Sequence, residues 1–153
     1  MNPKVRQYIK ELDDQFQLVK KTKDDEIKSM LTQYLCIRVS GLLETFIKCR
    51  ISDYALGRVP KEVKRFISGK FKDITNLRSE KLLNVLDSFS NDWFIDFNEH
   101  INDNAQQKTS LDSVVTNRHN IAHGQHQNIS FKSMEQYYED VKAVISKLEL
   151  IIS

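Results

Sequence analysis

Between Ile27 and Tyr54 the chain carries an unbroken helical repeat. Ile27, Leu31, Tyr34, Leu35, Val39, Leu42, Leu43, Phe46, Ile47, Ile51 and Tyr54 keep a spacing of three or four, with no proline among them. This predicts one helix from about Asp24 to Leu56. At ~1.5 Å per residue it spans ~45–50 Å, long for a chain of 153 residues, and reads as the structural spine. The rest of the chain agrees. Only four glycines and two prolines interrupt it, and alternating β-branched runs are few. The expected fold is all-α: a bundle of six to seven helices around one long central helix, with residues 1–153 forming a single domain.

The other expected helices run from Pro3 to Lys21, Lys61 to Phe71, Ser79 to Phe89, Asn91 to Ile101, Thr109 to Ala122 and Ser130 to Ile151. Thr22, with Asp25 three residues on, reads as the cap of the long helix, and Gly57 as its C-terminal stop. Pro60 suits the first turn of the next helix. Ser90 caps the fifth, Asn102 to Lys108 reads as a polar loop, and Gly124 ends the sixth. Trp93, Phe94 and Phe97 are expected in the core, with a base-stacking platform as the alternative reading.

Charge narrows the function classes. Lys and Arg number 23 against 21 Asp and Glu, a formal net charge of +2. Bulk charge therefore gives no argument for nucleic-acid binding, and a disordered acidic chain is excluded. The most basic stretch is Lys61, Lys64, Arg65, Lys70 and Lys72, which reads either as a solvated face or as a contact for backbone phosphates. No apolar run reaches the ~20 residues a bilayer span needs, and the charged first residues lack the apolar centre of a signal peptide. The expectation is a cytoplasmic protein with no membrane partner. Cys36 and Cys49 then read as reduced thiols on nearly opposite sides of one helix, neither a disulfide nor a metal pair.

One segment carries chemistry, TSLDSVVTNRHNIAHG from Thr109 to Gly124. On a helical wheel with Leu111 at zero, Val115, Ala122, Val114 and Ile121 form an apolar stripe, and Arg118 falls in its middle at about 340°. An unpaired guanidinium buried there would be costly. Either it meets an acid such as Glu44, or the face borders a cleft or a second subunit. His119 and His123 flank the stripe at about 80° and 120°, whereas Asn120 points away at about 180°. His123 lies in the last turn, just ahead of Gly124. An imidazole that exchanges protons beside an arginine that holds phosphate is a plausible acid–base site. The bland readings stay open: His119 as a hydrogen-bonding residue at the core edge, His123 as a helix cap, His126 as a solvated loop residue. A zinc site from His119, His123 and His126 lacks the glutamate of H-E-x-x-H and any cysteine partner.

Arg118-His119-Asn120-Ile121-Ala122-His123 fits R-x4-H with a polar residue after the arginine, late in the helix before the last long one. This resembles the signature of the HEPN superfamily. The stretches SGLLETFIKCRISDYA, SEKLLNVLDSF, LDSVVTNRHNIAHG and MEQYYEDVKAVISKLE together resemble its RiboL-PSP-HEPN branch, over about Thr32 to Leu150. The resemblance implies a homodimer whose two R-x4-H segments share a cleft, and a metal-independent endoribonuclease without a cofactor. It implies His123 as general acid or base, Arg118 on the scissile phosphate and His119 orienting one of them. Asn120 and Glu44 are candidate substrate-binding or orienting residues. The implied partner is RNA, and the implied setting is a toxin with its antitoxin, or an antiviral defence effector. One departure is Gln125, where the branch paired with nucleotidyltransferase antitoxins carries tyrosine two residues after the histidine. The competing reading is a non-catalytic module that dimerises and binds RNA or protein.

Overall fold

The computed structural model describes residues 1–55 and 59–153. All regular structure among them is helical: α1 (Pro3–Lys20), α2 (Asp25–Ala55), α3 (Lys61–Lys70), a 3-10 turn (Phe71–Asp73), α4 (Ser79–Asp87), α5 (Asn91–Asp103), α6 (Ala105–Ala122) and α7 (Phe131–Ile151). The expected Gly57 stop lies outside the described residues.

Helix α2 is the spine because it packs on α1, α6 and α7 at once. Leu35, Cys36, Val39, Leu42, Leu43, Phe46, Ile47 and Ile51 are all buried along it. They face Val5, Leu12, Phe16 and Val19 of α1, Leu111 and Val114 of α6, and Met134, Val141, Val144, Ile145 and Leu148 of α7. Burying each large side chain of this kind is worth about 1.5–3 kcal/mol, which outweighs any local propensity. Phe16 stacks on Tyr138 with centroids 4.5 Å apart, and the Tyr138 hydroxyl donates to Asp13 Oδ1 at 2.9 Å. Burial and that carboxylate both raise the phenol's pKa, so it stays a donor. At Gly41 on α2 an added Cβ would sit 2.8 Å from the Tyr8 hydroxyl.

Several local expectations are corrected. The cap of α2 is Asp24, whose Oδ1 accepts from the Ile27 amide at 2.9 Å, while the Thr22 hydroxyl turns back to the Leu18 carbonyl. Asn102 to Lys108 is not a loop: α5 continues to Asp103 and α6 starts at Ala105, with only Asn104 between. Ala, Gln and Lys form helix readily, and their polarity marks exposure rather than irregular backbone. The Asn104 amide clamps the break by donating to the His100 carbonyl at 2.8 Å. Helix α4 stops at Asp87, two residues short of the expected Phe89. Trp93 and Phe97 are core residues, whereas Phe94 is half-buried. With Phe97 sealed, that trio is no stacking platform. Ser90 does cap α5, its hydroxyl accepting from the Trp93 amide.

The N-terminal half of α2 departs most from expectation. Ile27, Met30, Tyr34 and Ile37 are exposed, although Ile27 and Tyr34 belong to the helical repeat. Helix α3 has no buried residue at all, and Phe66 on it is 66 % exposed. No described helix is long and apolar enough to cross a membrane.

Both cysteines are free thiols. Cys36 is buried between α2 and α6, donating to the Val114 carbonyl at 3.4 Å. Burial pushes its thiol from 9.0 up to about 12. An acid kept neutral by the fold ionises on unfolding above its ordinary pKa, so its stabilising contribution is full below about pH 9 and fades as pH rises toward 12. We expect Cys36→Val to lose less stability than wild type over that interval in urea melts. Ellman's reagent at about pH 8 should reach Cys36 only after unfolding; labelling of Cys36 in the folded protein at the rate of Cys49 would contradict this burial.

Candidate active site

The last turn of α6 is fixed by its own backbone. Gly124 takes φ +73°, and the Gln125 and Gly124 amides donate to the Asn120 and Ile121 carbonyls at 2.9 and 3.0 Å. This is the double closure of a helix that ends on a left-handed glycine. It leaves His123 at the helix end, exposed, with its ring 4.4 Å from that of His119, which is also exposed. The expected apolar stripe therefore runs out of the core: Leu111, Val114 and Val115 are buried, Ile121 is half-buried and Ala122 is exposed.

Arg118 sits half-buried where the stripe leaves the core. Among the described residues it forms no ion pair. Its Nη1 donates to Asn76 Oδ1 at 2.9 Å, a neutral partner. Glu44 accepts the Asn76 backbone amide on Oε1, also at 2.9 Å. The guanidinium and the carboxylate thus meet through Asn76 rather than directly, so the direct Arg118–Glu44 pair is replaced by a relay. A single bond to a neutral amide leaves most of the five guanidinium donors for a ligand.

The linear reading misses Asn76, the residue that holds Arg118. Its φ of +51° makes it the one described non-glycine residue with positive φ. The turn is held on three sides. Ile74 and Leu77 are buried anchors flanking it. Lys81 donates to the Thr75 carbonyl at 2.6 Å. Asp112 of α6 accepts both the amide and the hydroxyl of Ser79, at 2.7 and 2.9 Å. Asp112 lies six residues before Arg118, so the turn and the arginine hang from the same helix. The only sequence signal was an asparagine in a short connection, a residue type that tolerates the left-handed region.

The remaining candidates separate. The Asn120 amide donates to Gln127 at 3.3 Å, which steadies the loop after α6. His126 faces Gln33 of α2 at 3.4 Å, joining that loop to the spine. Among the described residues no group of three His, Cys, Asp or Glu side chains is placed to hold a metal ion.

The fold and this site define a class: a helical bundle that presents an arginine and two imidazoles from the end of one helix. The family model RiboL-PSP-HEPN matches residues 4–153. The chain belongs to the RiboL-PSP-HEPN family. No curated protein matches it, and no solved structure does.

Asn76→Gly and Asn76→Ala both delete the amide, but only alanine keeps a Cβ in the left-handed turn. The alanine variant should be less stable than the glycine variant by about 1 kcal/mol, read from urea midpoints. Equal midpoints would mean that the turn relaxes freely.

Proposed function

We propose that the protein is a metal-independent endoribonuclease of the HEPN type, working as a homodimer in the cytoplasm. The observation that carries this reading is Arg118: a half-buried cation held by one neutral bond, five residues before an exposed imidazole, in a chain of this family. The free guanidinium donors hold the scissile phosphate and the charge that grows on it during attack. One His123 takes the proton of the ribose 2′-hydroxyl, whose oxygen attacks phosphorus. The bond to the 5′ oxygen breaks, and that oxygen receives a proton from a second imidazole. The products are a 2′,3′-cyclic phosphate and a 5′-hydroxyl. His119, with its ring beside that of His123, orients the imidazole or the phosphate. Glu44 acts through Asn76 on the arginine.

A homodimer is supported by the exposed line Ile27, Met30, Tyr34 and Ile37. Apolar rows at this spacing are costly to leave in water. Ile37 and Glu44 are two helical turns apart on nearly the same side of α2, so the row leads to the Glu44–Asn76–Arg118 relay. A seam along it places two motif segments near one another, and the second His123 supplies the acid. Toxicity restrained by an antitoxin, or a role in antiviral defence, is the biological setting we propose.

The test is cleavage of single-stranded RNA in EDTA. Wild type should cut, with His123→Ala reduced about 10²–10⁴-fold and Arg118→Ala about 10²–10³-fold. RNA binding without cleavage would favour the non-catalytic module instead. Loss of cleavage on chelation would point to a metal hydrolase. Ile37→Glu should shift the light-scattering mass from twice 17.9 kDa to once that value.

A further inference from the structure

The net charge of the chain is concentrated in one place. Residues 61–73 hold Lys61, Lys64, Arg65, Lys70 and Lys72 against Glu62 and Asp73, a net +3 in a chain whose total is +2. This is α3 with its 3-10 turn, and α3 has no buried residue. Its aromatic side chain Phe66 is 66 % exposed, and Phe89, after α4, is 36 % exposed. The two rings line one cavity of about 400 Å³ between α3 and α4. Ile74 and Val85 add apolar wall, and Lys70 and Lys81 bring two ammonium groups against one carboxylate, Asp73. Among the described residues none of these three charges forms an ion pair with another. The Lys70 ammonium lies 5.5 Å from the centre of the Phe66 ring, and the Lys81 ammonium is anchored on the Thr75 carbonyl.

The cavity and the candidate active site share one short segment. Ile74 lines the cavity, and Asn76, two residues on, holds Arg118. Two residues of chain span at most about 7 Å. The residue that holds Arg118 and a wall of the cavity thus belong to one short stretch of chain.

We propose that the α3–α4 cavity receives an unstacked base of single-stranded RNA, while Lys70 and Lys81 in its lining and the nearby cation Lys72 meet the neighbouring phosphates. Exposed rings with lysines beside them suit this ligand: any base offers a flat face for stacking, and ammonium groups neutralise the backbone. The sheltered apolar volume takes the base out of water, and the excess positive charge selects an anionic chain over a neutral apolar molecule. The subsite rests on the RNA-cleaving reading above and adds to it a place where base identity is sensed.

The experiment uses the full chain and fluorescence anisotropy. One probe is a 2′-O-methyl single strand of about ten nucleotides, which cannot be cut; the other has the same backbone without bases. Wild type should bind the base-bearing strand about tenfold or more tightly than the abasic one. Phe66→Ala with Phe89→Ala should bring that ratio close to one while leaving abasic affinity unchanged. Lys70→Ala with Lys72→Ala should weaken both strands alike and flatten the salt dependence by roughly 0.7 in log–log slope per lysine. If the double phenylalanine variant melts early, Phe66→Ala alone carries the test, since that ring is mostly in solvent. Equal wild-type affinity for both strands overturns the proposal, as does a base preference that survives loss of the rings. Cleavage of an ordinary RNA strand is scored separately. Cutting without base preference sinks the subsite alone, and base preference without cutting sinks the nuclease reading alone.

Discussion

The site depends on how a guanidinium is held at the end of an apolar helical face. Arg118 lies where α6 leaves the core, and a carboxylate there would have neutralised it. The structure instead interposes Asn76, whose carbonyl oxygen takes one guanidinium hydrogen while Glu44 holds the asparagine backbone. The acid thereby steadies the turn without capturing the cation. An anion approaching Arg118 meets donors that no described carboxylate has claimed, in a setting where partial burial weakens screening by water.

That arrangement needs a rigid frame. Helix α2 supplies Glu44, and its buried face fixes the distance to α6 and α7. Asp112 ties the 74–78 turn to α6 through Ser79, so Asn76 and Arg118 move together. At the far end, the left-handed Gly124 stops α6 abruptly and leaves His119 and His123 side by side in water. The cluster is therefore packed on one side and open to solvent on the other.

The same economy appears in what the fold leaves uncovered. Ile27, Met30, Tyr34 and Ile37 of α2 and Phe66 of α3 are large side chains left exposed. The first is a row at spacings of three and four residues along one helix. The second adjoins a cavity and the densest positive charge in the chain. The basic stretch of residues 61–73 was legible in the sequence, whereas the cavity beside it was not.

Much of the helical architecture was legible in the chain. A three-to-four residue period, few breakers and caps such as Ser90 are local properties, settled by backbone geometry and the need to bury one face of each helix. The helix carrying Arg118, His119 and His123, its end at Gly124, and membership of the family follow from the same residues. Local polarity misled only where helix formers lie in water, as at Ala105 to Lys108. What the chain could not reveal is which neighbour answers each group. Ile27 and Tyr34 share the period of the core residues, yet among the described residues they stay exposed. Glu44 and Arg118 look like an ion pair until Asn76, 32 and 42 residues away, is folded between them. A helical pattern specifies a face and a charge; only long-range packing decides whether that face meets protein, solvent or a ligand.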